Sequence, residues 1–302
     1  MSPLPNRIYK NLFLKYIDFM KTLIIGGSSK IGRNFNSKKK NFLLTFNSNR
    51  IKNGVKFNLI KSNIEKIISR HFITKVVILS AYSEPDFCFK NKKISDMLNV
   101  VSTIRVIKKL IKKNIYFIFF SSEMVYSGLK GKYSENDKTR PKNYYGKQKL
   151  KVERYIKKNA KNYAIFRLAK TYNIKQNSKN FFSDFFQSID KGKRVFNAAI
   201  DQKFSPIFVK DLINITNFFL KKKIQGVYNI AGPKAYSRYD CLRILKKSLS
   251  SKVQKKIQIK KIKLNDMKFI ENRPLNLSLK VNKLIKTYKH SITPLEKIVK
   301  KS

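Results

Sequence analysis

Between residues 22 and 168, short apolar runs alternate with stretches whose apolar side chains recur at helical spacing. The runs are Thr22–Ile25, Phe42–Phe46, Val55–Asn58, Val76–Leu79, Ile115–Ser121 and Tyr163–Arg167. They lack the in–out alternation of a half-exposed strand, as expected of parallel strands covered on both faces. One intervening helix is expected to open at Ser62, where Glu65 three residues on completes a capping-box pattern. Another is expected from about Phe89 to Lys112, with Ile94, Leu98, Val101, Ile104, Ile107, Leu110 and Ile111 on helical spacing. Strands joined by helical crossovers leave few arrangements open. The reading is an α/β fold with a Rossmann-like, doubly wound parallel sheet, whose ligands bind beyond the carboxyl ends of the strands. After about residue 170 the rhythm breaks into shorter, aromatic-rich pieces with Pro206, Pro233, Pro274 and Pro294, so a smaller C-terminal substrate lobe is expected there.

The first apolar run leads straight into Gly26-Gly27-Ser28-Ser29-Lys30-Ile31-Gly32. Glycine is needed where a chain turns sharply from strand to helix and where its backbone must approach a pyrophosphate. A helix opening at such a turn presents free N–H groups to phosphates. Gly26, Ser29 and Gly32 are therefore candidate cofactor-binding positions. Ser29 stands where a Gly-x-x-Gly-x-x-Gly pattern has its middle glycine.

A second signal is Tyr145-Gly146-Lys147-Gln148-Lys149, with Ser121-Ser122 upstream at a strand end. Tyrosine and lysine four apart share one helix face. A free phenol titrates near 10, so reaching about 7 requires roughly 4 kcal/mol. One ammonium at about 4 Å supplies energy of that order at an effective dielectric near 20. Tyr145 and Lys149 thus form a candidate proton-transfer pair, with Ser122 holding a substrate oxygen.

Composition removes other classes. Two cysteines, Cys88 and Cys241, and two histidines, His71 and His290, argue against a disulfide framework and against histidine-based catalysis. Asp184, Asp190, Asp201 and Asp211 are scattered, and no metal site is read. The pairs Phe181-Phe182 and Phe185-Phe186 sit at helical spacing and read as core. No run approaches the 18 apolar residues of a membrane span, and residues 1–20 lack the pattern of a secretory signal. They read as an N-terminal extension of a cytoplasmic protein. The net charge of +51 would ordinarily point to nucleic acid. Yet the excess is 56 Lys against 12 Arg, spread along the whole chain rather than gathered with phosphate-forking arginines. A solvated surface explains it better, and no specific nucleic-acid partner is expected.

Together these residues resemble the extended short-chain dehydrogenases/reductases, and within them most closely the dTDP-4-dehydrorhamnose reductase family. Ser121-Ser122-Glu123-Met124-Val125-Tyr126-Ser127-Gly128 is similar to that family's Ser-Thr-Asp-x-Val-Phe-x-Gly. Tyr144-Tyr145-Gly146-Lys147-Gln148-Lys149-Leu150 is similar to its Val-Tyr-Gly-Lys-Thr-Lys-Leu, with Glu153 following in place. Asp86, Asn99, Asp201-Gln202, Ser205-Pro206 and Arg273-Pro274 keep further family positions.

The resemblance implies an NAD(P)-binding domain over residues 21–170 and a substrate lobe over 171–302 with elements returning to that domain. It implies Tyr145 as catalytic acid, with Lys149 as its partner and a contact of the nicotinamide ribose. Ser122 and Glu123 would meet the sugar, Ser29, Lys30 and Ile31 the cofactor phosphates, and Ala81, Tyr82 and Ser83 the nicotinamide side. Lys170 stands where the reductases carry a substrate-facing tryptophan. The implied partner is a nucleotide-sugar, and a homodimer is compatible with the family.

NADPH is expected over NADH. No carboxylate lies between Asp18 and Glu65 to hydrogen-bond a ribose 2′-hydroxyl, and Arg50 offers a fork for a 2′-phosphate. The implied reaction is reduction of a 4-keto group on a nucleotide-activated deoxysugar. The alternatives are a 4-epimerase with the same Ser-Tyr-Lys set and a non-catalytic subunit like the methionine adenosyltransferase beta subunit, which the chain resembles distantly. A polyanion-binding protein is a further alternative, motivated by the charge.

Overall fold

A computed structural model describes residues 21–35, 41–173 and 181–299. The expected extension over residues 1–20 lies outside the described residues. The strands in chain order are β1 (Lys21–Ile25), β2 (Phe42–Phe46), β3 (Val55–Lys56), β4 (Ile73–Ile78), β5 (Tyr116–Ser122), β6 (Tyr163–Leu168), β7 (Thr171–Tyr172), β8 (Val195–Ala199), β9 (Lys203–Phe204), β10 (Ile207–Phe208), β11 (Gly226–Ile230), β12 (Tyr236–Ser237) and β13 (Gln258–Ile262). Seven of them form a parallel sheet in the order β11-β6-β5-β4-β1-β2-β3. The expected doubly wound fold is therefore present.

The unalternated strands are buried as their composition requires. All seven residues of β5 are buried, and successive side chains enter two different cores. Tyr116, Ile118 and Phe120 join Ile24, Val77 and Phe166 on one face of the sheet. Phe117 and Phe119 join Leu23, Ile25, Val76 and Ile78 on the other. A third apolar cluster, around Tyr172, Phe182, Phe185, Phe196, Cys241 and Leu245, is built entirely from residues after 170. Short pairings support it: β8 with β13 in parallel, and β9 with β12 antiparallel.

Three local expectations change. The helix after β3 spans Ile64–Arg70, and its cap is Asn63, whose side chain accepts from Glu65 N at 2.9 Å. The Ser62 hydroxyl instead accepts the N–H of Asn58 at 2.9 Å. The long helix expected over 89–112 is broken into Pro85–Lys90, Lys92–Asp96, a π-helical segment Met97–Ser102, and Thr103–Lys112. Asn91, at φ −115° and ψ 52°, makes the first break. The wider π turn carries Asn99, which is pulled inward: it donates to Gln148 Oε1 at 2.8 Å and to Tyr82 O at 2.9 Å. Finally, the glycine turn leads only to a single 3₁₀ turn, Gly32–Asn34. The chain becomes extended at Phe35, which is anchored in the core against Phe42 with ring centroids 5.6 Å apart.

Candidate active site

Strand order runs outward in opposite senses from β1 and β4, so the loops beyond their carboxyl ends part to leave a crevice. A cavity of about 650 Å³ occupies it. The glycine turn forms one wall through Ser28, Ser29, Lys30 and Ile31. Gly26 sets that turn at φ +87°, and a Cβ there would lie 2.9 Å from Ser80 N, so only glycine lets the turn sit against the end of β4. The Ser29 hydroxyl accepts the Gly32 N–H at 3.1 Å, closing the 3₁₀ turn while the residue stays exposed at the cavity wall.

The opposite wall is built by β5 and the helix Tyr144–Asn159. Asn143 caps that helix, accepting from Gly146 N at 2.8 Å. Gly146 allows the helix to close on the loop after β5, since a Cβ would come within 2.2 Å of Met124 O. This contact brings Ser122 into the same cavity as Tyr145 and Lys149. Neighbouring Ser121 lines the same cavity, but its hydroxyl is engaged by Glu153 Oε1 at 2.5 Å. Glu153 is also held by both Nε and Nη2 of Arg167, the latter at 2.8 Å, and Arg167 Nη1 reaches the Tyr126 hydroxyl at 2.8 Å. This buried network ties β5, β6 and the tyrosine-bearing helix together beneath the cavity.

The electrostatics differ from the expected tuned phenol. Burial holds the Tyr145 phenol above its ordinary value, so it keeps its proton at neutral pH. Burial also lowers the Lys149 ammonium to about 8, against an opposing pull from Cys88 and Glu153. Lys149 Nζ donates to Phe120 O at 2.8 Å and lies 5.7 Å from the Tyr145 ring centroid, so it does not draw the phenol down to 7. The arrangement presents a neutral proton donor beside a cation. Glu123, 5% exposed, is pushed upward by burial, against the charge and backbone N–H of Lys170.

Of the cofactor candidates, Ser29, Lys30, Ile31, Ala81, Ser83, Tyr145 and Lys149 line the cavity, as do the substrate candidates Ser122, Glu123 and Lys170. Gly26, Gly32, Tyr82 and Arg50 do not. Gly26 and Gly32 shape the turn from behind. Tyr82 turns outward and packs on Phe87, with centroids 4.7 Å apart, while Asn99 holds its backbone on both sides. Arg50 is exposed in the loop after β2, and its neighbour Asn49 forms the wall instead. Sequence reasoning gave Asn49 only an auxiliary part beside Arg50, and overlooked Glu84 and Phe181 in the wall. Phe182 and Phe185 are core as expected, but Phe181 faces Lys170 and Arg238, 5.4 and 5.1 Å from its ring. Arg238 carried no sequence signal at all. Among the described residues, no cluster of histidine, cysteine or carboxylate side chains could hold a metal, and no helix is long and apolar enough to cross a membrane.

The family model for the RmlD substrate binding domain matches residues 20–302. The chain belongs to that family. Among curated proteins it is similar to methionine adenosyltransferase 2 subunit beta of Xenopus tropicalis, 25% identical over 190 residues that span 61% of this chain and 57% of that protein. It is also similar to dTDP-4-dehydrorhamnose reductase of Salmonella typhimurium, 24% identical over 161 residues, 51% of this chain and 53% of that one. The chain thus spans little more than half the length of these curated relatives. A dTDP-4-dehydrorhamnose reductase from Bacillus anthracis, solved in complex with NADP, shares the fold with a TM-score of 0.79 over 93% of this chain and 97% of that one, at 18% identity.

Substituting Ser29 tests the turn. Ser29→Leu, placed on the cavity wall and stripped of its cap, is expected to bind nicotinamide cofactor poorly, and Ser29→Gly at least as well as the parent. Fluorescence titration of NADPH measures both. Superimposable curves for Ser29→Leu and the parent would mean the turn is structural only.

Proposed function

We propose that this chain is an NAD(P)H-dependent oxidoreductase that reduces the 4-keto group of a nucleotide-activated deoxysugar. The observation that carries this reading is the convergence of Ser122, Tyr145 and Lys149 on one wall of a cavity whose other wall is the glycine turn. The donor set suits a nicotinamide cofactor: hydroxyls and an ammonium at the turn for phosphates, and Lys149 and Tyr145 at the far end for a ribose. Bound there, the cofactor would supply hydride to the carbonyl carbon.

Tyr145, neutral at pH 7, donates its phenolic proton to the oxygen that gains charge. Ser122 donates a hydrogen bond to the same oxygen and fixes its position. Lys149 places a positive charge beside the phenolate left behind, which lowers the cost of that transfer. Because the ammonium is lost as pH rises through about 8, turnover is expected to hold below that value and fall above it. A pH–rate profile that stays flat through pH 10 would remove Lys149 from the mechanism.

NADPH is the preferred cofactor in this reading, because the loop after β2 carries Ser48, Asn49 and Arg50 and no carboxylate. Dissociation constants for NADPH and NADH, in the parent and in Arg50→Ala, test it. Tighter NADH binding by the parent would defeat the preference, and an unchanged ratio in the variant would assign it to Asn49 and its neighbours. The reaction itself is tested by following NADPH oxidation across a panel of nucleotide-linked 4-keto sugars. Turnover of none of them would favour the second reading, a non-catalytic subunit, which the similarity to methionine adenosyltransferase 2 subunit beta supports.

A further inference from the structure

The helix that carries Tyr145 begins at Tyr144, and the first N–H groups of a helix have no partner within it. Asn143 takes the N–H of Gly146, but the N–H of Tyr144 is taken from far along the chain, by Glu271 Oε1. The N–H of Glu271 itself donates to Asp86 Oδ1 at 3.0 Å, and Arg273 Nη2 meets the same oxygen at 2.9 Å. Asp86 lies just beyond Glu84 of the cavity wall. Further on, Leu275 O accepts the N–H of Lys203 at 2.6 Å, and the Asn276 N–H donates to Gly128 O at 2.8 Å. One short stretch, 271–276, therefore ties the substrate lobe to the wall after β4, to the loop after β5 and to the first turn of the tyrosine helix.

Tyr145 is bracketed by these bonds. The residue before it gives its N–H to Glu271 and its hydroxyl to Asp96 Oδ2 at 2.6 Å, and the residue after it gives its N–H to Asn143. Glu271 does not line the cavity, so any effect it has on a reaction there passes through the helix. It is 9% exposed and uses one oxygen, since Oε2 is buried with no hydrogen-bond partner among the described residues. Burial raises its carboxyl, against the Tyr144 N–H and the charges of Arg273 and Lys147. The contact needs no charge, because the carbonyl oxygen of a neutral acid also accepts. We propose that Glu271 is a positioning residue for Tyr145, fixing the first turn of its helix to the substrate lobe so that the phenol stays in register with a sugar held there. This rests on the reductase reading above and adds to it a residue outside the cavity that sets the acid in place.

Glu271→Met keeps the length of the side chain and removes the acceptor, whereas Glu271→Gln keeps an acceptor oxygen. Turnover is followed with NADPH and the nucleotide-linked 4-keto sugar that the parent reduces fastest. Glu271→Met is expected to lower kcat about 10- to 100-fold, the scale of a displacement of about 1 Å at a reacting group. The NADPH dissociation constant should not change, and Glu271→Gln should keep the parent kcat. In a Tyr145→Phe background Glu271→Met is expected to cost nothing further, because it acts through the phenol. Hydrogen exchange of the Tyr144 amide, read without any ligand, should quicken in Glu271→Met and not in Glu271→Gln. The role is overturned by a parent-like kcat in Glu271→Met, by Glu271→Gln as slow as Glu271→Met, or by an undiminished loss in the Tyr145→Phe background. Unchanged exchange in Glu271→Met overturns the contact itself. Should Glu271→Met not fold, Glu271→Asp, shorter by one methylene, takes its place with the same outcomes. A parent that reduces none of the sugars overturns the functional reading and the role with it, whereas an active parent with any of the failures above overturns the role alone.

Discussion

Replacing Tyr145 with phenylalanine is expected to lower turnover by about 10²- to 10⁴-fold, the usual contribution of one positioned acid. The substitution removes a single oxygen from a side chain that is 7% exposed and leaves the ring packing in place. The Asn143 cap of its helix and the Lys149 bond to Phe120 O do not involve the phenol oxygen, so fold and cofactor binding are expected to persist. The loss should appear in kcat far more than in cofactor affinity, because the proton moves only in the transition state. A Tyr145→Phe protein that keeps half the parent turnover would sink the assignment, and with it the reading of the cavity as a reductase site.

Arg167→Met is expected to destabilise the fold severely, by about 3–5 kcal/mol. Arg167 and Glu153 are 1% and 0% exposed at their side chains and meet at 2.8 Å. Removing the cation leaves the Glu153 carboxylate buried, with only the Ser121 hydroxyl among the bonds it now makes. It also frees the Tyr126 hydroxyl from one of its partners. The double variant Arg167→Met with Glu153→Leu should recover much of the loss, since neither charge then remains buried alone. Urea unfolding of the parent and both variants measures this. A single-variant loss of about 1 kcal/mol or less, typical of an exposed pair, would mean that water reaches the network.

The fold was legible because its signal is local. Phe42–Phe46 is a strand at its expected bounds, and the other five runs begin or end within a few residues of theirs. Parallel strands covered on both faces need uninterrupted apolar residues, and few other structures tolerate them. The failures were also physical. Ser62 and Asn63 are both good caps, and the structure uses Asn63 while Ser62 takes the N–H of Asn58, a choice that no local pattern reports. The helix over 89–112 keeps its apolar period, but a period cannot report that Asn99 is drawn toward Tyr82 and Gln148.

The same division runs through the candidate site. Sequence by itself determined the glycine turn, the Tyr145–Lys149 spacing and the serine at the end of β5, because each is a short-range pattern whose geometry the backbone imposes. Only the tertiary structure decided that, of the two serines lining the cavity, Ser121 gives its hydroxyl to the buried ion pair, and that Asn49 rather than Arg50 forms the wall. It alone brought Phe181 and Arg238 to Lys170, and set Glu123 beside Lys170. Most of those neighbours are separated by tens of residues in the chain. Their approach depends on strand register and on how the segments after residue 170 pack, and no local periodicity encodes either.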